Sequence, residues 1–424
     1  MDRLERENLH GSGAAEAGNY QALVVNQPHQ FQVHREIYTN PRIFEDELER
    51  IFATTWVYLA HESELPKPGD YRTTWIGKQP VIITRDDEMQ LHVMLNSCRH
   101  RGNAICRAVS GNAARFRCSY HGWVYSNRGD LIDVSLPEGY PADFKLSGLI
   151  PVPRVSVYRG LIFGSLASDG EDFDTYLGDA KSYVDLWAEM SPVGTLKVKR
   201  PHQFVFPGNW KLQVENSTDG YHARFLHESA FATMAKFGGR SVAQTTALRN
   251  IGAVSGFDGG HGMLEKPQMA ALETAIFDDY VAFLTEKYGK ERAERILGGY
   301  NIMLFPNVCL MDSNIRVIQP LAVNETVVAS YFTELDGVPE HVNRERLRDL
   351  QWRLGTAGLI CTDDLELFSG VQTGLQARDM EWIVLSRSVD RETVHPAGQR
   401  VASFDGEAPQ RALYRKWLKL MCRA

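Results

Sequence analysis

Four residues with the chemistry of metal ligands lie on two short stretches of the sequence. Each stretch supplies one cysteine and one histidine, a glycine follows each pair closely, and seventeen residues separate the two pairs: Cys98 with His100, and Cys118 with His121. Glycine lets the backbone turn sharply around a metal. This set of donors fits zinc in a closed tetrahedral site, or a two-iron cluster with both histidines on one iron and both cysteines on the other. The spacing alone leaves both possibilities open.

A second group of candidate ligands lies in the segment NWKLQVENSTDGYHARFLHES. Asp219 and His222 are three residues apart and are expected on one helical face. His222 and His227 are five apart, about 140° around a regular helix. Their convergence on one ion therefore needs a π-bulge or a helix end between them. Two imidazoles and a carboxylate form the facial triad of non-haem iron oxygenases. The carboxylate is expected from elsewhere, and Asp363 with Asp364, after the apolar segment LGTAGLIC, is the best candidate.

These signals have ordinary alternatives. Two histidines in one helix are more often packed or surface residues, and an Asp-Asp pair more often caps a helix. For the Cys/His quartet the ligand interpretation is the stronger one, and its competitor is structural zinc. Two other classes of protein are therefore kept open. One is a zinc-stabilised binding protein without redox chemistry, and the other is an electron carrier in which only the cluster functions.

Composition narrows the classes further. The chain of 424 residues is 43% hydrophobic and 23% charged, which is typical of a globular protein of two or three domains. A net charge of −7 argues against nucleic acid or an anionic membrane as a partner. No apolar run approaches the ~20 residues of a membrane helix, and the charged N-terminus MDRLERENLH does not look like a secretory signal. Six scattered cysteines do not form a disulfide scaffold, so a cytoplasmic location is expected.

The elements that must position the ligands fall into two regions. Residues 1–30 look like a mobile arm or a segment that orders against a partner, and Asn40 and Pro41 mark the start of a helix. Short β runs separated by turns then predict a small antiparallel all-β domain that holds the Cys/His loops. The expected domains are an arm at 1–37, the β domain at 38–170 and a second domain at 171–424.

The second domain alternates strands and helices. A helix is predicted over FDTYLGDAKSYVDLWAEM and another from Trp210, followed by a glycine-rich loop at 238–263 and a helix at 269–288. A strand is predicted at HQFVFP, before Trp210. Later strands are predicted at VCLMDS, NIRVIQPLAV and ETVVASYFTEL, and later helices from about Val342 and over 412–420. Grouped strands with helices outside them indicate the α+β class, with an antiparallel sheet covered by helices.

The whole ordered pattern resembles the large (α) subunit of the Rieske non-haem iron ring-hydroxylating oxygenases. The resemblance rests on Cys-x-His, Cys-x-x-His, Asn-Trp-Lys, Glu-Asn, Asp-x-x-His-x-x-x-x-His and a late Asp-Asp, and it runs from about Tyr38 to the C-terminal helix. It implies a small Rieske domain and a catalytic domain whose curved antiparallel sheet grips a helix. It implies these ligands: Cys98, His100, Cys118 and His121 for a Rieske [2Fe-2S] cluster, and His222, His227 and Asp364 (with Asp363 as runner-up) for mononuclear Fe(II).

Longer segments are similar to the benzoate branch of that family, among them SYHGWVYSNRGDL, YRGLIFGSL and DDLELF. This implies an oxygenase that uses O₂ and electrons from NAD(P)H, passed on by a ferredoxin or reductase, to convert an aromatic carboxylate to a cis-dihydrodiol. A monooxygenase that converts salicylate to catechol, or an oxygenase for a larger non-acidic hydrocarbon, is the alternative. The sequence departs from the branch after His227, at ESAFATMAKFGGRS, which is expected to border the substrate pocket.

The resemblance also assigns supporting roles. Asp219 is expected to hydrogen-bond a histidine ligand of the iron and, as in the family, to connect to a cluster histidine of a neighbouring subunit. That connection implies an α₃ ring, and the benzoate branch implies α₃β₃ with a small β subunit. Asn216 is expected to line the electron or proton route. Since a buried carboxylate needs a cationic partner, Arg316 is the first candidate to bind the substrate and Arg224 the second.

Overall fold

The computed structural model describes residues 18–141, 143–145, 147–237, 252–266, 278–396 and 398–423. They divide into two compact units: the β unit, Phe52–Glu171, and the α+β unit, which contains the described residues up to Ile51 and from Asp172 onward. The boundaries predicted from the sequence are at residues 38 and 171. The structure therefore differs over 38–51, which it groups with the α+β unit.

The β unit contains ten described strands in three antiparallel sheets. The strand Gln79–Arg85 buries consecutive β-branched residues, which favour strands. It pairs with a neighbouring strand on each side. The strands are Val57–His61, Asp70–Ile76, Gln79–Arg85, Leu91–Leu95, Ser110–Asn112, Arg115–Arg117, Val124–Ser126, Leu131–Asp133, Arg154–Tyr158 and Leu161–Ser165. The predicted β runs are confirmed.

The core of the α+β unit is one antiparallel sheet of ten described strands. In spatial order they are Leu196–Val198, Glu325–Leu335, Asn314–Ala322, Val308–Leu310, Tyr300–Leu304, Gly262–Glu265, Ala253–Gly256, Arg400–Ser403 and Thr393–Val394, while His202–Phe206 also pairs with Glu325–Leu335. A separate hairpin, Val24–Gln27 and Gln30–His34, pairs with Trp382–Val384. The α+β prediction is confirmed.

Helices pack around this sheet. Three are named here: the site helix Trp210–Ser217, the carboxylate helix Cys361–Gly374 and the C-terminal helix Ala408–Met421. The other described α-helices are Glu36–Thr39, Pro41–Glu47, Phe173–Leu177, Lys181–Ala188, Ala223–Leu226, Glu228–Phe237, Asp278–Tyr288, Lys290–Ile296 and Glu340–Leu354.

Two contacts show how the sheet accommodates helices on one face. Asn301, on a central strand, donates a hydrogen bond from Nδ2 to the backbone oxygen of Ser217 at the end of the site helix (3.0 Å). At Gly256 a Cβ atom would overlap the backbone oxygen of Ala408 and lie 2.7 Å from Ala412 Cβ. Glycine at this position therefore lets the C-terminal helix approach the sheet closely.

The structure corrects the predicted N-terminal arm. Tyr20–Leu23 form a short 3₁₀ helix and the following hairpin pairs with Trp382–Val384, so the described part of the arm orders against its own chain. Tyr20 and Leu23 are buried, which supplies the apolar contacts that hold it. The first part of the arm, residues 1–17, lies outside the described residues.

Two further predictions are corrected, and a third is confirmed where the chain is described. The helix over FDTYLGDAKSYVDLWAEM is interrupted at Gly178, whose φ of +48° interrupts the α-helix. The glycine-rich loop at 238–263 contains the strand Ala253–Gly256 and the start of Gly262–Glu265, while residues 238–251 lie outside the described part. The helix predicted over 269–288 is confirmed over Asp278–Tyr288, while residues 269–277 lie outside the described part.

Candidate metal sites

The two Cys/His loops of the β unit have the same backbone geometry. Gly102 N–H donates to the backbone oxygen of Cys98 (2.9 Å), and Gly122 N–H donates to that of Cys118 (3.0 Å). Both glycines have positive φ, +71° and +73°, which closes each loop tightly. Each loop thus turns back on itself between its cysteine and the glycine four residues later.

The two cysteines lie in the core of the β unit, and the two histidines, which are partly exposed, lie close to each other. The rings of His100 and His121 lie 4.4 Å apart between centroids, and both cysteines are buried. Nδ1 of each histidine is buried without a hydrogen-bond partner among the described residues. Two such nitrogens beside two buried thiols are the donors that a Rieske cluster requires.

The zinc alternative predicts another arrangement. Ligands at about 2.0–2.3 Å from one zinc ion would hold their donor atoms close together. Within the described ranges, the group that brings at least three donor atoms within 4.8 Å of one another is His222, His227 and Asp364. The Cys/His quartet does not meet this condition, which favours a two-iron cluster over a single ion.

Hydrogen bonds favour the thiolate form of Cys118. Burial alone raises the pKa of the Cys118 thiol, but backbone N–H groups of Tyr120 and His121 and the Asn103 amide outweigh it and bring the pKa below its ordinary value. Tyr125 Oη lies 3.4 Å from Cys98 Sγ. Tyr125 is not among the residues predicted for this site, because its spacing from Cys118 carries no recognisable signal.

In the α+β unit, the helix that precedes the second ligand group ends before His222. The site helix ends at Ser217, and one helical turn, Ala223–Leu226, follows with His222 and His227 at its two ends. The helix-end alternative is therefore the one found. Asp219 lies in the non-helical segment, so the expectation that it shares a helical face with His222 is wrong. Asp219 Oδ1 instead accepts from the backbone N–H groups of Tyr221 and His222 and starts the new turn.

His222, His227 and Asp364 meet at one point. Asp364 Oδ1 lies 3.6 Å from His222 Nε2 and 3.2 Å from His227 Nε2. Asp364 is in the first turn of the carboxylate helix and its side chain is 7% exposed. We refer to these three residues as the His/His/Asp set.

A carboxylate also lies beside the other nitrogen of each histidine. Asp219 Oδ2 is 3.5 Å from His222 Nδ1, and Asp363 Oδ2 is 3.2 Å from His227 Nδ1. A carboxylate at Nδ1 favours the tautomer with the proton on Nδ1, which leaves the Nε2 lone pair free to bind a metal. Both imidazoles are therefore oriented toward a common metal.

Asp364 and His222 each stabilise the charged form of the other. Burial raises the pKa of Asp364, but the hydrogen bond from His227 and the charges of His222, His227 and Arg316 lower it below its ordinary value. Burial lowers the pKa of His222, but Asp219 and Asp364 raise it above its ordinary value overall. Asn216, on the site helix, places Nδ2 3.2 Å from His222 Nε2 and 3.1 Å from Asp364 Oδ1.

The two arginines proposed for the substrate are placed differently. Arg316, on the strand Asn314–Ala322, is 3% exposed, and its Nε and Nη2 have no hydrogen-bond partner among the described residues. Its charge lowers the pKa of Asp364, which places it near the His/His/Asp set. Arg224 is exposed, with its guanidinium carbon 5.9 Å from the centroid of the Phe225 ring.

No helix in the described part of the chain is long and apolar enough to span a membrane.

Comparisons with known proteins match each of the two units to a protein family. A family described as "Rieske [2Fe-2S] domain" matches residues 55–144, and one described as "Ring hydroxylating alpha subunit (catalytic domain)" matches residues 173–421. The large subunit of anthranilate 1,2-dioxygenase from Acinetobacter baylyi is 34% identical over 386 residues, which are 86% of this chain and 82% of the relative. The α subunit of toluate 1,2-dioxygenase from Pseudomonas putida is 35% identical over 366 residues, 82% of this chain and 80% of the relative.

A solved structure extends the match to the fold. A point mutant of naphthalene 1,2-dioxygenase bound to phenanthrene has a TM-score of 0.83, is 27% identical, and is matched over 94% of each chain. Both the Rieske cluster and the mononuclear iron predicted from the sequence are cofactors of this family, and both sets of residues fit them. The chain therefore belongs to the Rieske-type aromatic ring-hydroxylating dioxygenases, as an α (large) subunit.

Proposed function

We propose that this subunit hydroxylates an aromatic carboxylate, with Arg316 as the partner of the substrate carboxylate. The observation that supports this most is the buried guanidinium of Arg316, which has no hydrogen-bond partner for two of its nitrogens among the described residues. Buried N–H groups of a cation that lack hydrogen-bond acceptors are costly. A carboxylate ligand would supply two charge-assisted hydrogen bonds to it. The relatives named for anthranilate and toluate support the same substrate class.

The residues near the iron are assigned as follows in this proposal. His222, His227 and Asp364 hold the iron, Asp363 orients His227, and Asp219 orients His222. The mononuclear iron supplies the centre at which O₂ is reduced, and the Rieske cluster supplies single electrons.

In the β unit, Cys98, His100, Cys118 and His121 hold the cluster. We assign its electrons to NAD(P)H, through a ferredoxin or reductase, and the product to a cis-dihydrodiol. The relatives carry the names large subunit and α subunit, which supports a smaller partner subunit. We assign this partner as a β subunit, in the α₃β₃ assembly that the family resemblance implies.

The experiment is oxygen uptake with product analysis over a panel of benzoate, anthranilate, salicylate and toluate, with naphthalene as the neutral member. We expect coupled turnover for at least one acid and none for naphthalene. Turnover of naphthalene but of no acid would overturn the proposal and favour a hydrocarbon oxygenase, the class of the solved structure. Catechol as the product from salicylate would favour the monooxygenase alternative.

A variant tests Arg316 directly. Arg316→Gln should raise KM for the accepted acid roughly a hundredfold, since leaving a buried charge unpaired costs about 2–5 kcal/mol and each 1.4 kcal/mol is about tenfold. Arg348→Gln is the control, because Arg348 is exposed and pairs with Glu345 on a surface helix. Iron content is measured on both variants, so that loss of metal is separated from loss of substrate binding. An unchanged KM in an iron-loaded Arg316→Gln enzyme would contradict the assignment.

A further inference from the structure

Three oxygen atoms meet in the interior of the α+β unit, one residue from Asn216. Tyr38 Oη lies 2.8 Å from Glu215 Oε1 and 2.6 Å from Tyr414 Oη, and Tyr414 Oη also hydrogen-bonds Glu215 Oε1. Both tyrosines are buried. We call this group the Tyr-Glu-Tyr ring. It joins a short N-terminal helix, the site helix and the C-terminal helix.

Counting protons shows what this ring requires. Three oxygens in mutual contact form three hydrogen bonds only if three protons lie between them. The phenols of Tyr38 and Tyr414 supply one proton each, since a hydroxyl has a single O–H donor. The third contact is filled when the Glu215 carboxyl carries a proton on Oε1. An ionised Glu215 would leave one close oxygen–oxygen contact without a hydrogen.

The environment of Glu215 also favours the protonated carboxyl. The ammonium of Lys211 on the same helix lies 2.6 Å from Glu47 Oε1, so it already has a carboxylate partner. The neighbouring carboxylate of Asp219 disfavours a second negative charge. Burial, the largest effect, raises the pKa of Glu215 to about 7, against the opposing hydrogen bonds of Tyr414 and Tyr38 and the charge of Lys211.

The ring lies close to the iron ligands along the chain. Glu215 and Asn216 are consecutive residues in the last turn of the site helix, and Asn216 contacts both His222 and Asp364. Glu215 retains some accessible surface and lines a cavity of about 10 Å³ together with Thr218 and Gln410. A cavity of this size holds about one water molecule. Gln410 Oε1, buried without a partner among the described residues, is an acceptor that such a water could use.

We propose that Glu215 holds a proton in the Tyr-Glu-Tyr ring and supplies it to the reaction at the His/His/Asp set. This inference rests on the proposed function, which consumes protons. An arene, O₂, two electrons and two protons give a cis-dihydrodiol: the O–O bond breaks, two C–O bonds form, and both oxygens end as hydroxyl groups. The electrons come from the external donor. Glu215 gives one proton and becomes a carboxylate, solvent gives the other, and solvent then reprotonates Glu215.

Infrared spectroscopy of the resting holoprotein tests the protonation without any substrate. The wild type should show the C=O band of a protonated carboxylic acid, which disappears as the pH rises through about 7. Glu215→Gln should lack this band, whereas Glu334→Gln should retain it, because Glu334 pairs with Lys199 near the surface. A band that persists unchanged in Glu215→Gln, or the absence of a band in the wild type at pH 6, would overturn the proposal.

A second measurement tests the supply of the proton. Oxygen uptake by the reduced enzyme consumes two protons per O₂ whether the product is a diol or, without a coupled substrate, hydrogen peroxide. We expect wild-type uptake to fall above pH 7. In Glu215→Gln it should be reduced roughly a hundredfold, a usual size for general-acid effects, and lose that pH step.

The infrared and oxygen-uptake measurements distinguish failure of the proposed function from failure of the role proposed for Glu215. If no aromatic acid is turned over, the proposed function fails, while the infrared titration and the peroxide-forming uptake still test Glu215. Tyr414→Phe removes one proton and one oxygen from the ring without changing the carboxyl, and should shift the infrared band and slow uptake less than Glu215→Gln does. An iron-loaded Glu215→Gln enzyme with wild-type uptake and the wild-type pH step would overturn the proposed role.

Discussion

At the scale of single residues, the chain uses two neighbouring aspartates for different tasks. Asp364 points its oxygen at both histidines from a side chain that is 7% exposed, while the Asp363 side chain is 30% exposed and reaches only His227 Nδ1. Consecutive residues of a helix point about 100° apart, so one pair can reach both sides of one imidazole. The sequence could identify the pair but not this division, because burial distinguishes the two.

Substituting each aspartate in turn tests that division. Asp364→Asn should remove the mononuclear iron, since an amide is a much weaker ligand than a carboxylate. Asp363→Asn should keep the iron but weaken its affinity about 10- to 100-fold, the usual effect of losing the carboxylate that orients a ligating histidine.

Iron content after competition with a chelator measures both effects, with the visible spectrum of the Rieske cluster as the internal control. The assignment fails if Asp363→Asn loses its iron as completely as Asp364→Asn while both variants keep the cluster spectrum. Equal iron affinity in the wild type and Asp363→Asn would instead show that the contact with His227 Nδ1 does not orient the ligand.

At the scale of elements, the iron ligands depend on a broken helix. The site helix ends at Ser217, and the chain must turn before His222. Gly220 makes this possible, because a Cβ there would overlap the backbone oxygen of Phe404 and lie 2.8 Å from its ring. The spacing of His222 and His227 predicts that an unbroken helix cannot aim both histidines at one ion. The spacing does not predict where the break lies, since the neighbour that requires glycine is far away in sequence.

Gly220→Ala should therefore displace the segment that carries Asp219 and His222. We expect a loss of stability of about 1–3 kcal/mol, as for other forced overpacking, together with weaker iron binding. Gly370→Ala is the matched control, because a Cβ at that position of the carboxylate helix meets no atom within 4 Å. It should be neutral or stabilise by up to about 1 kcal/mol, since alanine favours a helix over glycine. Urea unfolding and iron content are the measurements, and equal effects of the two substitutions would contradict this explanation.

Other elements show why part of the fold was predictable and part was not. The strands with turn residues at both ends, such as Gln79–Arg85, were correctly predicted because local signals mark them. Tyr300–Leu304 was missed because all five of its residues are buried, so it has no alternation to detect. The carboxylate helix was missed because it buries a charged residue, Asp364, where a local pattern would require an apolar one. The burial of Asp364 depends on partners far away in sequence, including His227.

At the scale of the whole molecule, the Tyr-Glu-Tyr ring could not have been predicted from the sequence. Tyr38 and Tyr414 lie 177 and 199 residues from Glu215, and no local pattern connects them. The ring ties the two ends of the α+β unit to the helix that carries Asn216. Its protonation should therefore influence the stability of that whole unit as well as its chemistry.

The sign of this influence follows from the pKa of Glu215. Its folded value is raised to about 7 from an ordinary 4.5. A carboxyl with a raised folded pKa is easier to ionise in the unfolded chain, so rising pH favours unfolding. The cost begins near pH 4.5, grows until about pH 7 and is constant above it, at about 3 kcal/mol for a shift of this size. Glu215→Gln has no such ionisation and should escape this loss of stability.

Urea unfolding of the wild type and Glu215→Gln between pH 5 and pH 8 measures the difference. The free energy of unfolding of the variant, relative to the wild type, should rise with pH up to about 7 and then level off, because folded Glu215 is then ionised as well. Glu334→Gln, which removes a carboxylate paired with Lys199 at the surface, should show no such rise. A constant difference between wild type and Glu215→Gln over this range would mean that Glu215 is already ionised at pH 5. In that case the two phenols would be stabilising a carboxylate, and the ring would anchor the helices without storing a proton.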